Sequence, residues 1–297
     1  MTSSRRATVL VCLAYTWWGC SAIFWRELGS VAPVDQLSFR VITGFSYLAV
    51  VWMVRRHNPI VGLTKQHLTY GLAACALIAA NWIVFLWAVD NGRAVEAALG
   101  YFLMPLFSVA LGVGLLGERL RVLQKAALAL AVVGIVWTLV VVGTVPWVAL
   151  ILGASFAVYG WARKQGPWNA VDGLTFETML LVPFLLPLLL WRGAGDVAVT
   201  GDGSWATLLL IAATGLVTIV PFLLFASAAR QVSLTVVGLL QYINPTLQFL
   251  VGWQVLGEPV STSRLLGFAW IWAALGLVIV DELGSKRPVD GSTSGVR

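Results

Sequence analysis

Few ionisable side chains fall inside long apolar runs of the sequence, and three of them invite a functional reading. Arg40 lies about three residues into one run, Glu96 about three residues into another, and Glu177 near the start of a third. Charges in such places are open to three uses: a structural ion pair or an end residue whose head reaches water, a contact to a charged substrate, or a carboxylate that takes up and releases a coupling proton. Their depths suggest that Arg40 and Glu96 face each other. Glu177 begins its run from the opposite side, so its nearer partners are Arg230 and Lys164. Asn81, Tyr101, Gln241, Asn244, Tyr159 and Trp18 add uncharged contacts for a ligand. Glu118 and Glu258 follow Leu-Gly at the ends of apolar runs and read as solvated helix-end residues.

Other chemistries lack their parts. The sequence has no Gly-x-x-x-x-Gly-Lys-Ser/Thr loop for nucleotide phosphates. His57 and His67 have no carboxylate or cysteine cluster beside them in sequence, so no metal site, cofactor site or hydrolytic triad is expected. Cys12, Cys20 and Cys75 lie in apolar runs and read as small core residues.

The composition explains why the charges are so few. Of 297 residues, 59% are hydrophobic and 11% charged, and the mean hydropathy is +0.88. A soluble domain carries roughly 25% charged residues. This excludes a soluble globular enzyme, a nucleic-acid-binding domain and a disordered chain, and leaves an all-α integral membrane protein. Arg5 and Arg6 before an apolar run resemble a signal peptide, but Trp17 and Trp18 stand where cleavage needs small residues, so the segment reads as a retained helix.

A span needs about 20 apolar residues. Ten runs qualify: 8–25, 37–54, 68–88, 94–116, 122–142, 146–162, 174–191, 205–226, 233–256 and 264–281. With the N-terminus in the cytoplasm, fourteen of the nineteen Lys and Arg residues fall at cytoplasmic ends and four at outer ends. That bias predicts that both termini are cytoplasmic. Residues 285–297 read as a disordered tail. Trp25, Trp147, Trp168, Trp191 and Trp205 suit interfacial belts, whereas Trp17, Trp18, Trp82 and Trp87 lie deeper.

The second half repeats the first. Glu96-Ala-Ala-Leu-Gly-Tyr-Phe-Leu-Met-Pro105 precedes Leu-Gly117-Glu118, and Val236-Val-Gly-Leu-Leu-Gln-Tyr-Ile-Asn-Pro245 precedes Leu-Gly257-Glu258, with the same Pro-to-Glu spacing of 13 and an offset of 140. Asp35 to Arg40 matches Asp172 to Glu177 at an offset of 137, and Trp18-Gly19 matches Tyr159-Gly160 at 141. The expected units are residues 1–143 and 144–284. Five spans is an odd number, so the second copy is inverted, an architecture common in secondary transporters. Pro105 and Pro245 sit at matching interior positions, where each is expected to kink its helix and expose a carbonyl to a central cavity.

These runs, together with Tyr15-Thr-Trp-Trp-Gly19, Phe39-Arg40, Tyr159-Gly-Trp-Ala-Arg163-Lys164 and Gln241-Tyr-Ile-Asn-Pro245, resemble the RarD group of the drug/metabolite transporter superfamily, the EamA-type proteins. The resemblance runs from about residue 8 to 283. It implies ten helices in two inverted five-helix bundles in the bacterial cytoplasmic membrane, and movement of small molecules across it; the group is associated with chloramphenicol sensitivity or resistance. Members often carry histidine just ahead of the span-4 glutamate. Here that stretch is Asn91-Gly-Arg93-Ala-Val-Glu96, and Met104 stands where Asn would mirror Asn244, so a histidine relay does not carry over. The expectation is a secondary transporter, an exporter of metabolites or drugs working by alternating access, with a small-molecule substrate, the bilayer and proton coupling as its partners. A passive channel or a lipid-modifying membrane enzyme is the alternative.

Overall fold

The computed structural model describes residues 3–29, 31–56, 62–91, 93–142, 147–193, 205–255, 257 and 262–284. The Glu96 side chain, Glu258, His57 and the tail lie outside the described residues. Among the described residues every regular element is helical: α1 (Ser3–Cys20), α2 (Ala22–Glu27), α3 (Pro33–Arg55), α4 (Lys65–Asp90), α5 (Ala94–Leu116), α6 (Val122–Val142), α7 (Trp147–Gln165), α8 (Ala170–Trp191), α9 (Trp205–Ala229), α10 (Leu234–Leu240), α11 (Ile243–Leu250), a π-helical turn (Val251–Val255) and α12 (Thr262–Gly284). Six stretches among the described residues are long and apolar enough to cross a membrane: Arg5–Glu27, Pro33–Arg55, Lys65–Ala88, Ala170–Trp191, Trp205–Ala229 and Leu234–Val255. Shorter apolar helices cover Gly100–Leu116, Val122–Trp137 and Leu265–Asp281.

Local chemistry sets the ends. Pro33 opens α3, where its missing N–H costs nothing. Asn169 caps α8 by accepting from the Asp172 amide, and Ser233 caps α10 by accepting from Val236. Gly117 closes α5 at φ +65°, a left-handed conformation that glycine adopts without a Cβ clash. The two matched prolines behave differently. α5 continues through Pro105 without interruption. Pro245 stands in the first turn of α11, just after the helix interrupts at Gln241 and Tyr242.

Side-chain contacts gather the helix termini at two ends of the bundle. At the end carrying α2, Arg192 is paired with Asp35 at 2.9 Å, and Arg93 stacks over Trp87 and Trp147. At the far end, Trp168 donates to the His67 carbonyl, Arg230 to the Trp168 carbonyl, and Arg121 pairs with Asp281. Trp168 is thus buried, stacked on Phe176 at 4.8 Å, and not the interfacial anchor that its position in sequence suggests. Of the cysteines only Cys75 is buried; Cys20 is exposed and Cys12 half-buried, because apolar surface facing lipid needs no burial within the protein.

The packing follows the repeat. Matching the halves pairs α1 with α7, α3 with α8, α4 with α9, α5 with α10–α11, and α6 with α12. Contacts between helices then come in exchange-related pairs: α4 on α7 with α9 on α1, α5 on α7 with α10–α11 on α1, and α3 on α9 with α8 on α4. The remaining large contacts, α3 on α8, α5 on α10 and α6 on α12, map onto themselves. Small residues allow the closest approaches. A Cβ at Gly238 would lie 2.7 Å from Ser108 Cβ, and one at Gly215 only 2.5 Å from the Gly44 backbone nitrogen.

Candidate functional site

A cavity of about 460 Å³ occupies the middle of the bundle and reaches the α2 end. Its centre is built from repeat mates. Tyr101 and Met104 of α5 face it from one half; Gln241, at the break before α11, and Asn244 of α11 face it from the other. The Gln241 amide donates to Met104 Sδ at 3.3 Å. Gln241 and Asn244 are three residues apart, as are Tyr101 and Met104, and each pair faces the cavity together. Trp18, Trp82, Phe156 and Phe222 form aromatic walls, with Trp18 and Phe222 edge-to-face at 5.1 Å.

Arg40 enters this cavity from α3. Its guanidinium lies over the Trp82 ring at 4.3 Å and over Trp25 at 5.7 Å. Asn81 lines the same cavity, but its amide is committed, donating to the Leu152 carbonyl and to Ser155 Oγ, both at 2.9 Å. The structure thus brings Trp18, Arg40, Asn81, Tyr101, Gln241 and Asn244 together at one cavity. The expected pairing of Arg40 with Glu96 falls outside the described residues.

Glu177 and Tyr159 lie elsewhere, sealed below the cavity floor towards the far end. Arg163 Nη1 donates to Glu177 Oε1 at 3.0 Å, and Tyr159 Oη donates to Oε2 at 3.1 Å. All three side chains are buried. Arg163 also donates to the Ala170 carbonyl, and it reaches Glu177 by passing over Gly173, where a Cβ would collide with Nη1. Glu177 therefore pairs with neither Arg230 nor Lys164, as its position had suggested. Arg163 is four residues after Tyr159, so both lie on the face of α7 towards α8, whereas Lys164 turns to Glu118 at 3.6 Å.

Glu118 also departs from expectation. It is not a solvated helix end. Its two oxygens accept the amides of Leu234 at 2.7 Å and Thr235 at 2.8 Å, at the start of α10. Partial burial pushes its carboxyl up, but the hydrogen bonds from Thr235 and Leu234 and the charge of Lys164 outweigh this and hold it below its usual range.

Between the cavity and Glu177 lies one more void, of about 10 Å³, bordered by Arg40, Thr218 and Phe222 on the cavity side and by Glu177 and Thr178 on the other. That is about the room one water needs. Sequence reasoning did not single out Arg163, Trp25 or Thr218 for roles at this site, whereas Trp82 was among the deeper tryptophans open to lining a cavity. Arg163 was legible from its i+4 spacing to Tyr159; Trp25 and Thr218 needed the packing of α1–α2 and α9 around α3.

The EamA-like transporter family model matches the chain twice, over residues 5–140 and 145–280. The chain belongs to the RarD group of this family. It is 34% identical to "Protein RarD" of Escherichia coli over 287 residues, covering 96% of this chain and 97% of the relative. It is 38% identical to an "Uncharacterized transporter" of Vibrio cholerae, covering 94% of each. It is 31% identical to "Chloramphenicol-sensitive protein RarD" of Pseudomonas aeruginosa over 76% of this chain and 80% of that one. A solved crystal structure shares the fold at a TM-score of 0.71 and 19% identity, covering 92% of this chain and 97% of the other. This EamA-family protein is thus a multi-pass membrane protein of a bacterial transporter family.

Proposed function

We propose that the chain is a secondary transporter that exports small metabolites or drugs across the cytoplasmic membrane by alternating access. In this reading ten helices span the bilayer as two inverted repeats, residues 1–143 and 144–284, with both termini in the cytoplasm. The α2 end is then the outer face, and the conformation is open outward. The gate closed towards the cytoplasm is the Arg163–Glu177–Tyr159 cluster, and in the inward-open state its residues line the cavity while their repeat mates Arg40 and Trp18 close the outer side. An ion gradient drives the exchange, with a proton taken up by a carboxylate, Glu96 or Glu177.

The single observation that carries the reading is the placement of repeat mates. Tyr101 with Gln241 and Met104 with Asn244 share one cavity, while Trp18 and Arg40 are open to it and their mates Tyr159 and Glu177 are sealed. Two-fold equivalent residues in unequal surroundings are what a structure with two exchangeable states requires.

The test compares cells expressing the wild type and the Gln241→Leu, Asn244→Leu double variant at matched membrane levels. Extracellular small molecules and tolerance of a drug panel that includes chloramphenicol are measured. Export or protection conferred by the wild type and lost in the variant is expected. An extracellular profile and tolerance identical to cells lacking the protein would overturn the exporter reading.

A further inference from the structure

We propose that the cavity selects molecules bearing a single negative charge, a carboxylate on an apolar or aromatic body, with Arg40 as the group that binds it. This rests on the transporter reading above and names the substrate class of the same site.

The first argument is charge. Arg40 is the one charged side chain among the described residues that line the cavity, so a monoanion balances the charge of those residues. A cation would add to an uncompensated charge, and a dianion would leave one of its own.

The second argument is geometry. Trp82 and Trp25 take up the guanidinium from the sides. An arginine held over aromatic rings spends no N–H on them, so its N–H groups remain for a ligand, and two of them match the two oxygens of a carboxylate. Stacking also fixes the side chain in advance, so less freedom is lost on binding.

The third argument is unpaired donors. Arg40 Nε is buried with no hydrogen-bond partner, and so are Thr218 Oγ1 and Tyr15 Oη, all on residues that line the cavity. Thr218 and Tyr15 are themselves 7% and 1% exposed. Buried polar groups in folded proteins are nearly always satisfied. Three orphans around one cavity point to a ligand rich in acceptors. Trp18, Phe85, Phe156 and Phe222 then receive the apolar body.

The experiment uses the full chain in lipid nanodiscs and three probes of one shape: phenylacetate, its neutral amide phenylacetamide, and the phenethylammonium cation. Binding is read by titration calorimetry and by fluorescence of the tryptophans beside Arg40. The wild type is expected to bind phenylacetate at least tenfold tighter than either other probe. Arg40→Gln is expected to bring the three within about threefold, and Thr218→Val to weaken phenylacetate alone. Arg40→Lys, with a similar unfolding temperature to Arg40→Gln, is expected to recover part of the preference.

Equal binding of the three probes, preference for the cation, binding of none, or an anion preference that survives Arg40→Gln would each overturn the assignment. So would a preference that emerges only after Glu96→Gln, since Arg40 would then be neutralised by Glu96. Export of neutral chloramphenicol by a protein without anion preference removes the anion assignment and keeps the transporter. Anion binding without transport of any compound does the reverse.

Discussion

Arg40 and Glu177 occupy matching positions of the two halves and border the same water-sized void from opposite sides. One lies over the Trp82 ring at the cavity; the other is held by Arg163 and Tyr159. In the alternating-access reading proposed above, this inequality marks the end that is closed and the side chains that close it.

The closed end makes the sharpest stability prediction. Replacing Arg163 by Leu leaves the Glu177 carboxylate buried without its cation, at a cost of about 3–5 kcal/mol. The Arg163→Leu, Glu177→Leu double variant is expected to recover most of that, because neither charge is then stranded. Thermal unfolding of the three proteins in one detergent checks it. Equal loss in single and double variants would mean that the pair acts through packing alone.

Gly173 gives a test that leaves both charges in place. Alanine is a better helix former than glycine by about 1 kcal/mol, so Gly173→Ala in an ordinary exposed helix would stabilise. Here the new methyl group displaces the Arg163 guanidinium. The expected outcome is a lower unfolding temperature than wild type, measured in the same detergent.

Much of this was written in the sequence, and some was not. The offsets of 137 to 141 identified the mates Arg40 and Glu177, Trp18 and Tyr159, and Tyr101 and Gln241, because repeat spacing survives whatever the packing does. The partner of Glu177 was misjudged because depth along a helix was used without direction around it. Arg163 and Lys164 are adjacent in sequence, yet a step of one residue turns about 100°, sending one to Glu177 and the other to Glu118. Glu118 itself could not be read: the amides it accepts lie 116 and 117 residues away, and nothing local announces them. The unequal effect of Pro105 and Pro245 was hidden for the same reason. The residues flanking each proline match, yet α5 continues through Pro105 while α10 ends before Gln241 and α11 begins at Ile243.

Glu118 predicts a pH dependence. Its folded-state carboxyl titrates below the usual carboxylate range, near 4.3 for a free glutamate, about the unfolded value. Its contribution is therefore fully present above about pH 5 and is lost as pH falls through the depressed folded value. The wild type is expected to lose unfolding temperature between about pH 5 and 3. Glu118→Gln, which keeps one acceptor and loses the charge, is expected to be less stable at neutral pH by about 1 kcal/mol and to show a shallower acid decline. Parallel pH profiles for the two proteins would contradict this.

The contact of α3 with α9 predicts a steric limit. Thr43 and Thr214 hydroxyls meet at 3.1 Å, and the backbones touch at Gly44 and Gly215. Because the Gly215 Cβ would press on backbone, which cannot swing aside, Gly215→Ala is expected to cost about 1–3 kcal/mol. Gly276, which faces open space, is the control: Gly276→Ala is expected to be neutral or stabilising in the same unfolding assay.

The central claim is that the cavity opens outward while Arg163 and Glu177 close the inner side. It is tested most directly by labelling single cysteines in a chain whose Cys12, Cys20 and Cys75 are replaced by Ala. Ala22→Cys marks the cavity mouth and Thr178→Cys the far side of the small void. A membrane-impermeant maleimide added to intact cells is expected to modify the first and not the second. Adding Glu177→Gln is expected to slow labelling at 22 from outside and to expose 178 from the cytoplasmic side of inverted vesicles. Labelling of position 22 only from the cytoplasmic side, or rates at both positions unmoved by Glu177→Gln, would contradict the account.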